Sequence, residues 1–170
     1  MSTLEFLSPR PAETREFDPR LSSPLARALR SVVRGVRLHD LSLALAKYEV
    51  RGDLDAITAG DLIRITPARG LVLGPYEKSA ALEKELAVQV ETVLDMTGAL
   101  AALRVEARDA ATLVRRLTDL DLDHLPAVGA VARVPAIVRG GGDGFELFWA
   151  QEYGHYLAEV VIDTAAGLRR

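Results

Sequence analysis

The segment Asp40-Leu-Ser-Leu-Ala-Leu-Ala-Lys-Tyr-Glu-Val50 returns 55 positions later as Asp95-Met-Thr-Gly-Ala-Leu-Ala-Ala-Leu-Arg-Val105. Five of the eleven pairs are identical, and Asp-[Leu/Met]-[Ser/Thr] opens both. Further on, Gly70-Leu71-Val72-Leu73 before one helix answers Gly144-Phe145-Glu146-Leu147 before another, at an offset of 74. A long repeat in only two copies is not a solenoid. It predicts an α+β chain of two related β-β-α-β-β-α halves, 35–88 and 90–168, packed through their sheets with helices outside. Together with the residues from 24 these make one domain over 24–170.

The elements follow from periodicity. Residues 1–23 are polar, carry Pro9, Pro11 and Pro19, and read as an extended or disordered arm. Ser23-Pro24 starts a helix with Leu25, Ala28, Leu29 and Val32 inward, and Gly35 stops it. In the first half, strands are expected over 36–41, 45–51, 62–65 and 71–73, a reduced helix over 53–59, and a helix over 77–87. In the second, 90–94 and 100–106 are strands, and Asp109 caps a helix burying Ala110, Leu113, Val114 and Leu117. One long strand over 128–138, bent at Pro135, leads to a hairpin loop at 140–144 and a returning strand over 145–149. The closing helix over 152–166 is expected to bury Tyr153, Tyr156, Leu157, Val160 and Val161.

Composition narrows the function. Of 170 residues 49% are apolar and 26% charged, enough for a real core. The formal net charge of −3 argues against binding held by phosphate contacts, so no nucleic acid is expected. The absence of cysteine removes disulfides, thiolate metal sites and cysteine nucleophiles. No leader-like or membrane-spanning apolar run is present, and a cytoplasmic location is expected.

Each candidate site meets a structural alternative. Gly140–Gly144 lacks the spacing of a phosphate loop and carries Asp143, so a hairpin turn fits better. Asp119, Asp121 and Asp123 alternate with leucines before His124, without the spacers of a calcium loop. His39, His124 and His155 fall in three different elements, which suits structural histidines rather than zinc. Asp40-Ser42 and Asp95-Thr97 sit between strands, where a carboxylate accepts the N–H bonds of a turn, and occurring twice favours that role. No GxSxG elbow is present. No catalytic, cofactor or metal residue is therefore assigned; Trp149 and Tyr153 at the last strand–helix junction are core or interface anchors.

The order of these motifs resembles a known family. The Asp-Leu-Ser segment, Leu73-Gly74-Pro75, Asp95-Met-Thr, the helix from Ala110 to Leu117, Leu120 to Pro126 and Phe145-Glu146-Leu147 together look like the gamma subunit of heterotetrameric sarcosine oxidase. That family lies within the folate-binding fold of the glycine-cleavage aminomethyltransferase (T-protein), and the similarity runs from Val36 to Leu168. It implies a non-catalytic subunit held against larger flavin-bearing oxidase subunits that act on N-methyl amino acids in one-carbon metabolism. The flavins, NAD, zinc and folate would then belong to those partners, with no cofactor on this chain. The T-protein's catalytic aspartate follows a Tyr-Thr element this chain lacks, so no catalytic position carries over. The alternatives are a free-standing folate-binding or aminomethyltransferase-like domain, with Arg51, Arg64 or Arg104 pairing with the glutamate tail, and a homo-oligomer.

Overall fold

A computed structural model describes residues 22–30, 34–141 and 144–168. Of the expected N-terminal arm only Ser22 and Ser23 are among them; Val32 and the tip of the glycine loop also lie outside the described residues. The Leu25 N–H donates to Ser23 Oγ at 3.1 Å. A turn and a short 3-10 segment, Ala28–Arg30, stand where a regular helix was expected. Gly35 then redirects the chain at φ 78°.

The strands β1 (Val36–Asp40) and β2 (Leu45–Arg51) come next, and a single 3-10 turn, Leu54–Ala56, takes the place of the reduced helix. Asp53 caps it by accepting the Asp55 N–H. β3 (Asp61–Thr66), β4 (Arg69–Pro75) and α1 (Ser79–Ala87) complete the first half. The second half holds β5 (Thr92–Asp95), β6 (Leu100–Ala107), α2 (Ala110–Arg115), β7 (Ala127–Val131), β8 (Val134–Gly141), β9 (Gly144–Ala150) and α3 (Gly154–Gly167).

Two strands, β7 and β8, replace the single bent strand expected over 128–138. They form a hairpin through Ala132 and Arg133, at φ 47° and 69°. Those are the signs of a type I′ turn, for which asparagine or glycine is the usual residue, so the sequence carries no turn signal there. Pro135 fits because its missing N–H falls outside the β8–β9 ladder, which begins at Ala136.

The nine strands of the described residues form two antiparallel sheets, in the orders β1-β6-β9-β8-β7 and β3-β4-β2-β5. The sheets do not coincide with the sequence halves. β1 leaves its own half to edge the five-stranded sheet beside β6, and β5 crosses the other way to edge the four-stranded sheet beside β2. Ladder registers also correct the offset late in the halves. Leu45 faces Pro75 and Leu100 faces Ala150, which sets 75 and not 74. In a strand a one-residue slip reverses every side chain.

The sheets lie face to face with the helices on their outer sides. Between them sit Ile63, Leu71, Leu73, Ala102 and Phe148. Outside the four-stranded sheet, Ala46, Tyr48 and Val50 of β2 pack with Leu54, Leu82 and Leu86. Outside the five-stranded sheet, Leu103, Val105, Leu147 and Trp149 meet Leu113 and Val114 of α2 and Leu157, Ala158, Val161 and Ala165 of α3. β2 is thus covered on both faces, and every residue from Ala46 to Val50 is buried. The stripe α3 buries is Leu157, Ala158, Val161, Ile162 and Ala165; Tyr153 and Tyr156, expected inside, are exposed, and Val160 is half-buried. No described helix is long and apolar enough to cross a membrane.

Candidate functional site

The repeated triplet is where the chain changes sheets. Asp40 Oδ1 accepts the Ser42 N–H at 2.9 Å, and Asp95 Oδ1 accepts the Thr97 N–H at 2.8 Å. Each turn then bonds the strand it is leaving behind. The Leu41 N–H donates to Ala102 O at 2.9 Å, and the Ala102 N–H donates to Ser42 Oγ at 3.1 Å. Symmetrically, the Met96 N–H donates to Lys47 O at 2.8 Å, and the Lys47 N–H donates to Thr97 Oγ1 at 3.0 Å. Every residue in the second set stands 55 positions from its counterpart in the first. The hydroxyl supplies a strand end with the bond its departing neighbour no longer makes, since a buried amide must find a partner.

Ser42→Ala is accordingly expected to leave the buried Ala102 N–H without an acceptor and to lower stability by about 1–3 kcal/mol. Thr97→Ser, which keeps the hydroxyl, changes it little. Urea unfolding of both variants checks this; an Ala variant as stable as the parent would remove the hydroxyl's role.

Lys47 stands where the other half has Ala102, and it is fully buried. Its Nζ donates to Ser42 O at 2.7 Å and Leu45 O at 3.0 Å. Burial pushes the ammonium down to about pKa 8, against the pull of Asp95 and Asp40. Alternation along β2 alone would set a lysine here on a solvent face, so the residue itself carries no sequence signal of its burial. The only hint was the small pair Ala101-Ala102 in the facing copy.

Two charge clusters close the ends of the inter-sheet layer, with opposite signs at matching positions. Buried Glu49 takes Arg51 at 2.7 Å and Arg69 at 2.6 Å, and the Arg69 hydrogen bond foremost holds its carboxyl below the usual range. At the matching position stands Arg104, which donates to Glu106 at 2.7 Å and Glu146 at 3.1 Å. Glu146 also takes Arg139 at 2.5 Å, and Arg139 bridges the sheets by pairing with Asp61.

Other sequence candidates are dispersed. His39 pairs with Glu106, His124 with Asp121 and His155 with Glu159, so the three histidines are not brought together. Asp121 accepts the Asp123 N–H and His124 Nδ1 in a surface turn, while Leu120 and Leu122 pack inward. Arg51, Arg64 and Arg104 are each engaged by the protein's own carboxylates: Glu49, Asp55, and the pair Glu106 and Glu146. Trp149 is core, 1% exposed, although its buried Nε1 finds no hydrogen-bond partner among the described residues. Tyr153 beside it is 44% exposed.

Two clefts open at the sheet-changing turns. One, of about 420 Å³, is walled by Leu41, Leu45, Leu73 and Pro75 over Arg104 and Arg139. The second, of about 220 Å³, is walled by Met96, Leu100, Phe148 and Ala150 near Glu49. They occupy matching places in the two halves, and in both a double-bonded charge forms part of the floor.

No family model matches the chain, and no curated protein matches it in sequence. Among solved structures, it is similar to a chain of the heterotetrameric sarcosine oxidase from Corynebacterium sp. U-96, determined in complex with pyrrole 2-carboxylate. The TM-score is 0.73 at 16% identity, over 88% of this chain and 97% of that one, which shows a shared fold. A chain of a structure of aspartokinase alpha and beta subunits aligns at TM-score 0.47 and 12% identity, over 80% of this chain and 99% of that one.

Proposed function

We propose that the chain is a non-catalytic, gamma-type subunit of a cytoplasmic, heteromeric, flavin-dependent oxidase of the sarcosine oxidase type, acting on N-methyl amino acids. The observation that carries this reading is the likeness in fold to nearly the whole length of one chain of a heterotetrameric sarcosine oxidase. The internal repeat and the sheet-changing turns fit the folate-binding, aminomethyltransferase-type fold that the sequence resembles. On this reading flavin, NAD, zinc and folate are held by larger partner subunits. The ionic clusters of this chain suit that division, because their charges pair with one another within the sheets and, through Arg139 and Asp61, across them. Arg51, Arg64 and Arg104, the candidates for a folate tail, each already pair with a carboxylate of the protein, which favours the subunit reading.

Affinity purification of the tagged chain from its native host tests the proposal, with an absorption spectrum of the eluate. The expected result is a yellow eluate in which larger chains co-purify in fixed proportion. A colourless eluate containing this chain alone would overturn it.

A further inference from the structure

The two clefts match in their walls but not in their cover. Leu41 answers Met96 and Leu45 answers Leu100 at the offset of 55, and Leu73 answers Phe148 and Pro75 answers Ala150 at 75. The smaller cleft has further lining residues, Ile65, Arg69 and Ile137 and, from a strand the first half lacks, Val128 of β7. β7 is the strand with no counterpart in the first half. It makes the fifth strand of its sheet by pairing along its length with β8, whereas the other sheet stops at β3. Where that fifth strand is missing, the cleft is about 420 Å³ instead of about 220 Å³.

β3 and β7 also differ as edges. The edge of β7 meets the segment after α2: Thr118 Oγ1 donates to Ala130 O, and in the adjoining turn the Ala132 N–H donates to Leu117 O, both at 2.6 Å. Among the described residues no turn or loop hydrogen bond reaches the backbone of β3, whose ladder partner is β4 alone. Exposed apolar side chains adjoin the wall residues in the chain: Leu43, between Leu41 and Leu45, is 41% exposed, and Tyr76, next to Pro75, is 44% exposed. Tyr76 is fastened beside that loop by its N–H to Ala44 O. Exposed apolar surface around an apolar cleft marks a contact site.

We infer that this cleft receives an extended, uncharged, largely apolar segment of a partner subunit, laid against β3 as β7 lies against β8. The inference rests on the subunit reading and names the surface through which the partner is held. The internal repeat describes the occupant: β7, Ala-Val-Gly-Ala-Val, seats one apolar side chain over the matching cleft. Main-chain bonds to the open edge would supply affinity and the cleft specificity. The irregularity between Arg64 and Thr66 confines the added pairing to Asp61–Arg64. A second copy of the chain is the poorer donor, because its β7 would have to leave a ladder of five paired residues.

The absence of native cysteine permits the test. Pro75→Cys and Leu43→Cys place thiols on the cleft wall and beside it in the chain (the rim thiols), and Val88→Cys places one at the end of α1, where Val88 is 84% exposed. Each variant is treated with a maleimide, first as the isolated chain and then within the purified flavin-containing complex. Both rim thiols are expected to react about tenfold or more slowly in the complex, with Val88→Cys unchanged and amide exchange slowed over 61–64. Equal rim rates in a complex that does form would overturn this inference and leave the subunit reading standing. Recovery of the chain without larger partners would overturn both. Rim thiols already protected in the isolated chain, or increasingly so with its concentration, would mean that the chain covers its own cleft, and would overturn the partner assignment.

Discussion

Phe148→Ala is expected to lower the unfolding free energy by about 3–5 kcal/mol, the range for removing a buried aromatic ring from a packed core. Phe148 is 1% exposed between the sheets, against Ile63, Leu71, Leu73 and Ala102. The upper part of that range is favoured by its surroundings. Ala102 has no side chain able to swing into the vacancy. The sheets themselves cannot close up, since the reciprocal bonds of Leu41 and Ser42 to Ala102, and of Met96 and Thr97 to Lys47, fix one relative to the other. A cavity that cannot collapse costs the lost contacts as well as the lost burial. Against a total of about 5–15 kcal/mol, this is a large fraction of the stability of a small domain. Urea unfolding followed by circular dichroism measures it, as a lower midpoint with the slope preserved. A loss under about 1 kcal/mol would mean that the sheets re-pack freely and that the turns do not hold them.

Those turns were the most legible part of the molecule. A carboxylate two residues before a hydroxyl, occurring twice between apolar alternations, has a local meaning, and Asp40-Ser42 and Asp95-Thr97 both make the bonds that the spacing implies. What the hydroxyls bond to was not legible, because Ala102 and Lys47 are distant in sequence. Strand exchange was hidden for the same reason: periodicity says that 36–40 is a strand and nothing about which sheet it joins. The hairpin at Ala132-Arg133 has no sequence signal because left-handed backbone there is held by non-glycine residues. Tyr153 and Tyr156 belong to a helical stripe one step out of phase with the stripe α3 buries, so periodicity alone does not tell the two apart. Alternation alone would set Lys47 and Glu49 on a solvent face; covering both sides of β2 makes them interior groups, and only a partner sheet could do that.

Lys47 should make stability rise with pH in a range where most proteins show little change. Its folded pKa is about 8 and its ordinary value 10.5, so between these limits the unfolded chain binds the extra proton. Stability therefore increases as pH climbs from about 8, by roughly 3 kcal/mol in all if the full shift is realised. Below about 8 the lysine is charged in both states, and the whole cost of the buried ammonium is present. Tyr48 opposes this at the alkaline end. Burial raises its phenol, so the unfolded chain ionises first and stability falls again above about pH 10. The clean window is accordingly pH 8 to 10. Lys47→Met keeps the length of the side chain and removes the charge, so the rise should vanish in that window. At pH 7 the relief of desolvation opposes the loss of two hydrogen bonds to Ser42 O and Leu45 O, and the variant should stay within about 1–2 kcal/mol of the parent. Chemical unfolding of both proteins at pH 7, 8, 9 and 10 decides the matter. A rise of the same size in Lys47→Met would assign the effect to another group; a flat profile in the parent would mean that water reaches the ammonium between the sheets.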